Sequence, residues 1–233
     1  MIEFPPTPKP TELAEARLLQ LILNDEFPPN SILPAERTLA EQLGVTRPTL
    51  REALQRLARD GWLDIQQGKP TRVRNYWQEG TLAILGTVAQ YQAELPDGFI
   101  DQVLTVRELI APAYTQAAVD AKPVKTTKFI SGLLDLPDTP KAYAQADWDL
   151  HQKLTIFSGN PVFTLILNGF KDLYPILAER YFTLHLHRAH SQQYYQQLYQ
   201  SALDQDGKAA STLTQKFLEE ARSFWSTLEF HNG

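Results

Sequence analysis

Gly44-Val45-Thr46-Arg47-Pro48-Thr49-Leu50-Arg51-Glu52-Ala53-Leu54-Gln55-Arg56-Leu57-Ala58-Arg59-Asp60-Gly61 carries the clearest structural signal in this chain. Leu50, Ala53, Leu54, Leu57 and Ala58 recur at i, i+3, i+4, i+7 and i+8, the spacing of one apolar helix face. Thr46 suits an N-cap, and Pro48 is tolerated in a first turn, where its missing N–H is not needed. Gly61 stops the helix. Gly44 stops the one before it, Ala35 to Leu43, because glycine enters the left-handed conformation without steric cost.

Earlier in the chain, Thr11 reads as the N-cap of a first helix whose face carries Leu13, Ala16, Leu19 (or Leu18) and Leu23. That helix must end before Pro28-Pro29, and Ser31 to Pro34 reads as a short extended piece. After Gly61, Trp62 to Gln66 and Thr71 to Arg74 read as two strands, with Gln67-Gly68-Lys69-Pro70 as their turn. The order helix, extended piece, helix, tight turn, helix, hairpin is a winged helix-turn-helix. Residues 1–10 form a proline-rich arm.

Beyond residue 92 strand signals are few and helical stripes many, such as Phe163, Ile166, Leu167, Phe170, Tyr174, Leu177 and Tyr181. Pro175 should kink the helix carrying that stripe. Lys122–Lys128 and Leu136–Pro140 read as loops. The fold class is therefore mainly α, with residues 1–74 as a winged helix-turn-helix DNA-binding domain. Residues 75–92 are read as a linker leading into a helix, and 93–233 as an all-α helical-bundle effector-binding domain.

The chain of 233 residues has a net charge of −5 and no cysteine. Disulfides, thiolate metal sites and a cysteine nucleophile are thereby excluded. The charge is unevenly spread: residues 37–76 hold eight Lys or Arg against four acids, whereas residues 77–233 hold twelve against seventeen. A basic segment joined to an acidic body suits nucleic acid on one part and a different task on the other. No apolar run reaches the roughly 18 residues of a membrane span, and Met1 to Lys9 make no signal peptide. A cytoplasmic protein without membrane contact is expected. Phosphate-loop, GxSxG, GxGxxG and HExxH patterns are missing, so an enzyme is not expected.

A recognition helix points its N-terminal residues at base edges, and here those are Thr46, Arg47, Thr49 and Arg51. Arginine pairs its fork with guanine; Thr hydroxyls and helix-start amides suit phosphate. Arg37 stands near the start of the preceding helix, which crosses the backbone. At the wing tip, Gly68 allows close approach and Lys69 supplies charge, with Arg72 and Arg74 close by. Arg56 and Arg59 are read as a solvated face. A winged helix also serves as a protein-interaction module; the clustered charge favours double-stranded DNA.

Phe27 to Arg37, Leu39-Ala40, Gly44 to Leu54 and on through Gly61-Trp62-Leu63 to Gln66-Gln67-Gly68-Lys69-Pro70-Thr71 resemble the GntR superfamily, and within it regulators of the FadR type. The resemblance implies operator contacts from Glu36, Arg37, Thr46, Arg47, Thr49 and Arg51, and a wing tip at Gly68 and Lys69. The family pattern has Thr where this chain has Pro48, and His where it has Gln67. It continues more thinly through Leu104 to Arg107, Ser158 to Pro161, Leu165 to Gly169, Tyr181-Phe182 and Trp225. It implies a homodimer on a palindromic operator and a seven-helix bundle binding long-chain acyl-CoA, which releases the DNA. Fatty acid metabolism is then the regulated process, by repression or activation.

By the same resemblance Arg107, Tyr174, Tyr181 and Trp225 are the ligand-binding residues, and no bound cofactor is expected beyond this effector. Leu218 and Ala221 stand where the family has Gly and Ser, so a different or narrower effector is an open alternative. A second alternative is a small carboxylate held through a divalent metal, as in related regulators with one Asp and three His. Asp147 and His151 match the first half of that pattern, but Tyr195, Gln196 and Leu218 stand where the later histidines belong. His185, His187 and His190 are out of register. Each of the five histidines, His231 included, is expected at the surface or partly buried.

Overall fold

The computed structural model describes residues 9–92 and 95–230. Most of the proline-rich arm and His231 lie outside them. The chain forms two compact units, Met1–Leu95 and Pro96–Gly233.

In the first unit α1 (Pro10–Leu23) packs on α3 (Arg47–Arg59), and α2 (Glu36–Leu43) packs on α3. Helix α1 begins one residue before the expected cap. Proline occupies its first position, and the Lys9 amide donates to Glu12 Oε2 at 3.0 Å. Thr11 therefore lies inside the helix and gives its hydroxyl to Glu52 on α3 at 3.1 Å. Helix α2 ends at Gly44, whose φ of +64° is left-handed. Arg17 of α1 reaches the Leu43 carbonyl at 2.5 Å, placing a cation on the negative end of α2. Thr46 caps α3 by accepting the Thr49 amide at 3.4 Å. Leu18, Ile22, Leu39, Leu50, Leu54 and Trp62 are almost fully buried and make the core of this unit.

Strands β1 (Leu63–Asp64) and β2 (Arg72–Val73) pair antiparallel, with Leu63 opposite Val73 and Asp64 opposite Arg72. The ladder is shorter than the runs read from sequence, because the chain turns at 66–69, where the Lys69 amide bonds the Gln66 carbonyl at 3.1 Å. The extended piece before α2 lies along the other edge of β2, with Leu33 N–H on the Thr71 carbonyl and Val73 N–H on the Ser31 carbonyl, both 2.9 Å. Residues 75–92 form α4 (Tyr76–Glu79) and α5 (Ala83–Tyr91). Both belong to the first unit. The Tyr76 ring lies 4.7 Å from Trp62, and α5 packs on α1.

The second unit holds α6 (Phe99–Ala121), α7 (Pro123–Ser131), α8 (Pro140–Phe157), α9 (Pro161–Asn168), α10 (Tyr174–Tyr181), α11 (His185–Leu203) and α12 (Gly207–Phe230). Helix α6 packs on α12 and α8, α11 packs on α12 and α7, and α10 packs on α8. The expected loop over Lys122–Lys128 is instead the start of α7. Pro123 opens that helix, and Thr126, buried, bonds the Ala118 carbonyl at 3.1 Å. The apolar stripe from Phe163 to Tyr181 is two helices, separated by the turns at 169–173. Pro175 accordingly sits in the first turn of α10, where its missing N–H breaks no bond, and produces no kink. Among the described residues, the proline inside a helix is Pro112 in α6. No helix of the described residues is long and apolar enough to cross a membrane.

Candidate DNA-reading surface and effector cavity

In the first unit Thr46, Arg47 and Arg51 are exposed on the first turns of α3, with Thr49 half-buried beside them. The hydroxyls of Thr46 and Thr49 lie 2.8 Å apart. Glu36, at the start of α2, accepts from Arg51 Nε at 2.7 Å, and Arg47 Nη2 stands 4.0 Å from the same oxygen. One carboxylate thus holds both guanidinium groups over the head of α3. Arg37 is exposed on the same turn of α2 and has no acidic partner among the described residues.

At the wing tip Gly68 has φ +76° with open space around it. Lys69 Nζ donates to Gln66 Oε1 at 2.7 Å, and Gln66 donates to Asp64 at 2.9 Å. Arg72 and Arg74, close to the tip in sequence, are engaged within the unit. Arg72 bonds Asn30 at 2.8 Å and pairs with Glu79 at 3.2 Å, while Arg74 donates to the Leu63 carbonyl at 3.1 Å. They brace the hairpin. Arg56 is likewise engaged, with Glu52 at 2.6 Å and Glu15 at 3.1 Å, whereas Arg59 is exposed beside Asp60.

In the second unit Arg107, Tyr174, Tyr181 and Trp225 all line one cavity, of about 90 Å³. Its other walls are mostly apolar, among them Leu104, Leu173, Leu177, Phe217, Leu218 and Ala221. Leu218, which stands where the resemblance leads one to expect glycine, is buried and lines this cavity. Trp225 stacks on Tyr181 at 5.6 Å, and the Arg107 guanidinium lies over the Tyr174 ring at 5.7 Å.

A polar cluster closes one wall. Arg107 Nη2 donates to Asp147 Oδ2 at 2.6 Å and to His151 Nε2 at 2.7 Å. Tyr114 Oη stands 2.6 Å from His151 Nδ1. Tyr174 gives its hydroxyl to Asp147, and Tyr195 does so at 3.5 Å. Asp147 and His151 are 2% and 1% exposed, so the carboxylate is buried with its compensating cation. Burial, helped by repulsion from Arg107, pushes His151 down to about 3. The ring is neutral, with Nε2 accepting from Arg107 and the proton on Nδ1 facing Tyr114.

Asp147 and His151 therefore share a helix face but do not fit a metal. A guanidinium fills the position where a cation would bind both, and the described residues contain no group of three or more His, Asp or Glu that could hold one. Two histidines depart from expectation: His151 and His187 are buried, the latter against the Tyr181 carbonyl at 2.6 Å. His185 is exposed and His190 partly buried. Sequence reasoning missed Tyr114 and Glu108 at this site, and singled out Tyr195 only as the residue standing where a metal-binding histidine belongs. Tyr114 and Glu108 lie in the helical stretch of α6, far from Asp147 in sequence, and no local pattern marks them.

A winged helix with cations at the head of its third helix, carried with a helical unit that encloses an apolar cavity, defines a transcription regulator. Residues 10–73 match the model of bacterial regulatory proteins of the gntR family, and residues 74–231 match that of the FadR C-terminal domain. The fatty acid metabolism regulator protein of Shewanella pealeana is 44% identical over 222 residues, covering 94% of this chain and 92% of that protein. That of Shewanella baltica strain OS155 is 48% identical over 177 residues, 75% of this chain and 73% of that protein. Among solved structures, Lar, which controls expression of the Listeria monocytogenes agr system, has the same fold, with a TM-score of 0.63 at 18% identity over 94% of this chain and 98% of that one. The chain belongs to the GntR family of bacterial transcription regulators, and within it to the FadR type.

Proposed function

We propose that the protein regulates fatty acid metabolism by binding a palindromic operator as a homodimer, and that long-chain acyl-CoA releases it from the DNA. The observation that carries this reading is the apolar cavity between α6, α10 and α12 with Arg107 in its wall. A fatty tail gains about 0.8 kcal/mol per buried methylene, which rewards such a lining. Arginine supplies the charge-assisted hydrogen bonds that a thioester ligand with phosphates needs. Two recognition helices related by a two-fold axis match two half-sites, with Arg47, Arg51 and Thr49 on bases and Arg37, Thr46, Gly68 and Lys69 on backbone. The work is cytoplasmic, beside the chromosome.

Drug-sized ligand sites hold about 300–1,000 Å³, far more than the 90 Å³ of this cavity. An acyl chain therefore enters only if the helices part. A ligand that binds the parted state alone shifts the population toward it, and that differential affinity is what a switch requires. The protein, treated with chelator, is to be titrated calorimetrically with palmitoyl-CoA and then with zinc, and its operator complex followed by fluorescence anisotropy. Saturable binding near one per protomer with loss of the operator complex supports the reading. No palmitoyl-CoA binding overturns the effector assignment and leaves operator binding standing.

A further inference from the structure

The cavity is lined by two residues with a buried polar atom that nothing among the described residues satisfies. Glu108 Oε1 and Tyr181 Oη are both buried and have no hydrogen-bond partner among the described residues. Both residues line the cavity. They converge on one turn of α12. Glu108 Oε2 is held by Arg222 Nη1 at 2.9 Å, and the Tyr181 ring stacks on Trp225, three residues further along α12. Arg222 is itself clamped by Asp101 at 2.6 Å through Nε, so the Glu108 carboxylate is fixed in orientation with one oxygen spoken for.

Buried polar groups are almost always paired, and an unpaired one in a native structure calls for an explanation. A carboxylate oxygen only accepts, and a tyrosine hydroxyl donates readily. Burial raises the pKa of Tyr181, so its proton stays on. We infer that this end of the cavity binds a ligand group that donates to Glu108 and accepts from Tyr181, carried next to an apolar chain. A secondary amide or an aliphatic hydroxyl has that chemistry. In an acyl-CoA ligand the first is the amide of the pantetheine arm, and the second is a 3-hydroxyl on the acyl chain. The inference rests on the acyl-CoA reading and adds to it a recognition group at Glu108.

Glu108→Gln is the discriminating change. Arg222 demands an acceptor, so the glutamine turns its oxygen to Arg222 and its amide N–H₂ into the cavity, replacing an acceptor by a donor. Tyr181→Phe removes one hydroxyl and keeps the ring against Trp225. The full-length protein and both variants are titrated with palmitoyl-CoA and 3-hydroxypalmitoyl-CoA, with circular dichroism melts and operator binding confirming that the variants fold. If the pantetheine amide is the partner, Glu108→Gln weakens both ligands at least tenfold. If the hydroxyl is the partner, the wild type prefers the hydroxylated ligand at least tenfold, and the variant loses that preference while binding palmitoyl-CoA as before. Tyr181→Phe weakens the same ligands in either case. Folded Glu108→Gln binding both thioesters with wild-type affinity and wild-type preference overturns the inference and leaves the acyl-CoA reading intact. A wild type that binds neither thioester overturns both.

Discussion

Arg107 Nη2 stands 2.7 Å from His151 Nε2, and His151 meets Tyr114 at its other ring nitrogen, 2.6 Å away. The arginine thereby settles the tautomer of a histidine that burial keeps neutral. Since His151 is held down to about 3 from 6.5, the unfolded chain takes up a proton between those values that the folded chain refuses. Stability from this residue is complete above pH 6.5 and is lost as pH falls toward 3, at up to about 1.4 kcal/mol per pH unit. Urea midpoints measured from pH 7.5 to 5 should fall more steeply for the wild type than for His151→Gln. Parallel curves would show that His151 does not resist protonation. His187, also pushed down by burial, adds in the same direction in both proteins.

Arg107 pairs at 2.6 Å with a carboxylate that is 2% exposed, so removing it does more than remove a ligand contact. Arg107→Ala leaves Asp147 charged and uncompensated, at a cost of about 3–5 kcal/mol. The double variant Arg107→Ala/Asp147→Ala should recover part of that loss in denaturant unfolding. A double variant as unstable as the sum of the single ones would deny the coupling.

Arg47→Ala should weaken operator binding by about 1–3 kcal/mol and relax preference at one base position. Lys69→Ala should leave base preference alone and flatten the dependence of log K on log salt by about 0.9. Unchanged affinity for the first, or an unchanged slope for the second, would remove those residues from the interface.

Glu36 restrains Arg51 and Arg47 with one half-buried surface carboxylate. Glu36→Gln should raise affinity for unrelated duplexes and narrow the gap between operator and scrambled DNA. Fold stability should stay within about 0.5 kcal/mol, as for most exposed substitutions. Competition binding at fixed salt reads the gap directly; an unaltered ratio would make Glu36 a bystander.

Leu218 is 3% exposed and lines the cavity. Leu218→Ala should cost about 2–5 kcal/mol of stability and at the same time tighten palmitoyl-CoA, because the enlarged space admits the chain with less parting of the helices. Stability and affinity falling together would mean that Leu218 shapes the wall without limiting the ligand.

The winged helix was legible because its signals are local. Thr46, Pro48, Gly44 and Gly61 mark boundaries within a turn of where they act, and the Leu50–Leu57 stripe names its own buried face. Even there, the sequence placed Arg72 and Arg74 only near the wing tip and did not show what they bind. Their partners Glu79, Asn30 and the Leu63 carbonyl become visible only once the hairpin folds back. In the second unit, aromatic spacing marked a helical core but misplaced its breaks. Pro123 and Pro175 open helices, and the reading took one for part of a loop and the other for a kink.

By itself the sequence determined what nearest neighbours along the chain decide: caps, stops, apolar faces, the basic segment, and the motif that gives the family. The tertiary structure alone decided which charges are spent inside the protein. Arg107 and Asp147 are forty residues apart, and Glu108 and Arg222 more than a hundred. A guanidinium facing a buried carboxylate and one facing solvent read identically as letters. Their difference is made by desolvation, which depends on what packs around them and not on what adjoins them in the chain.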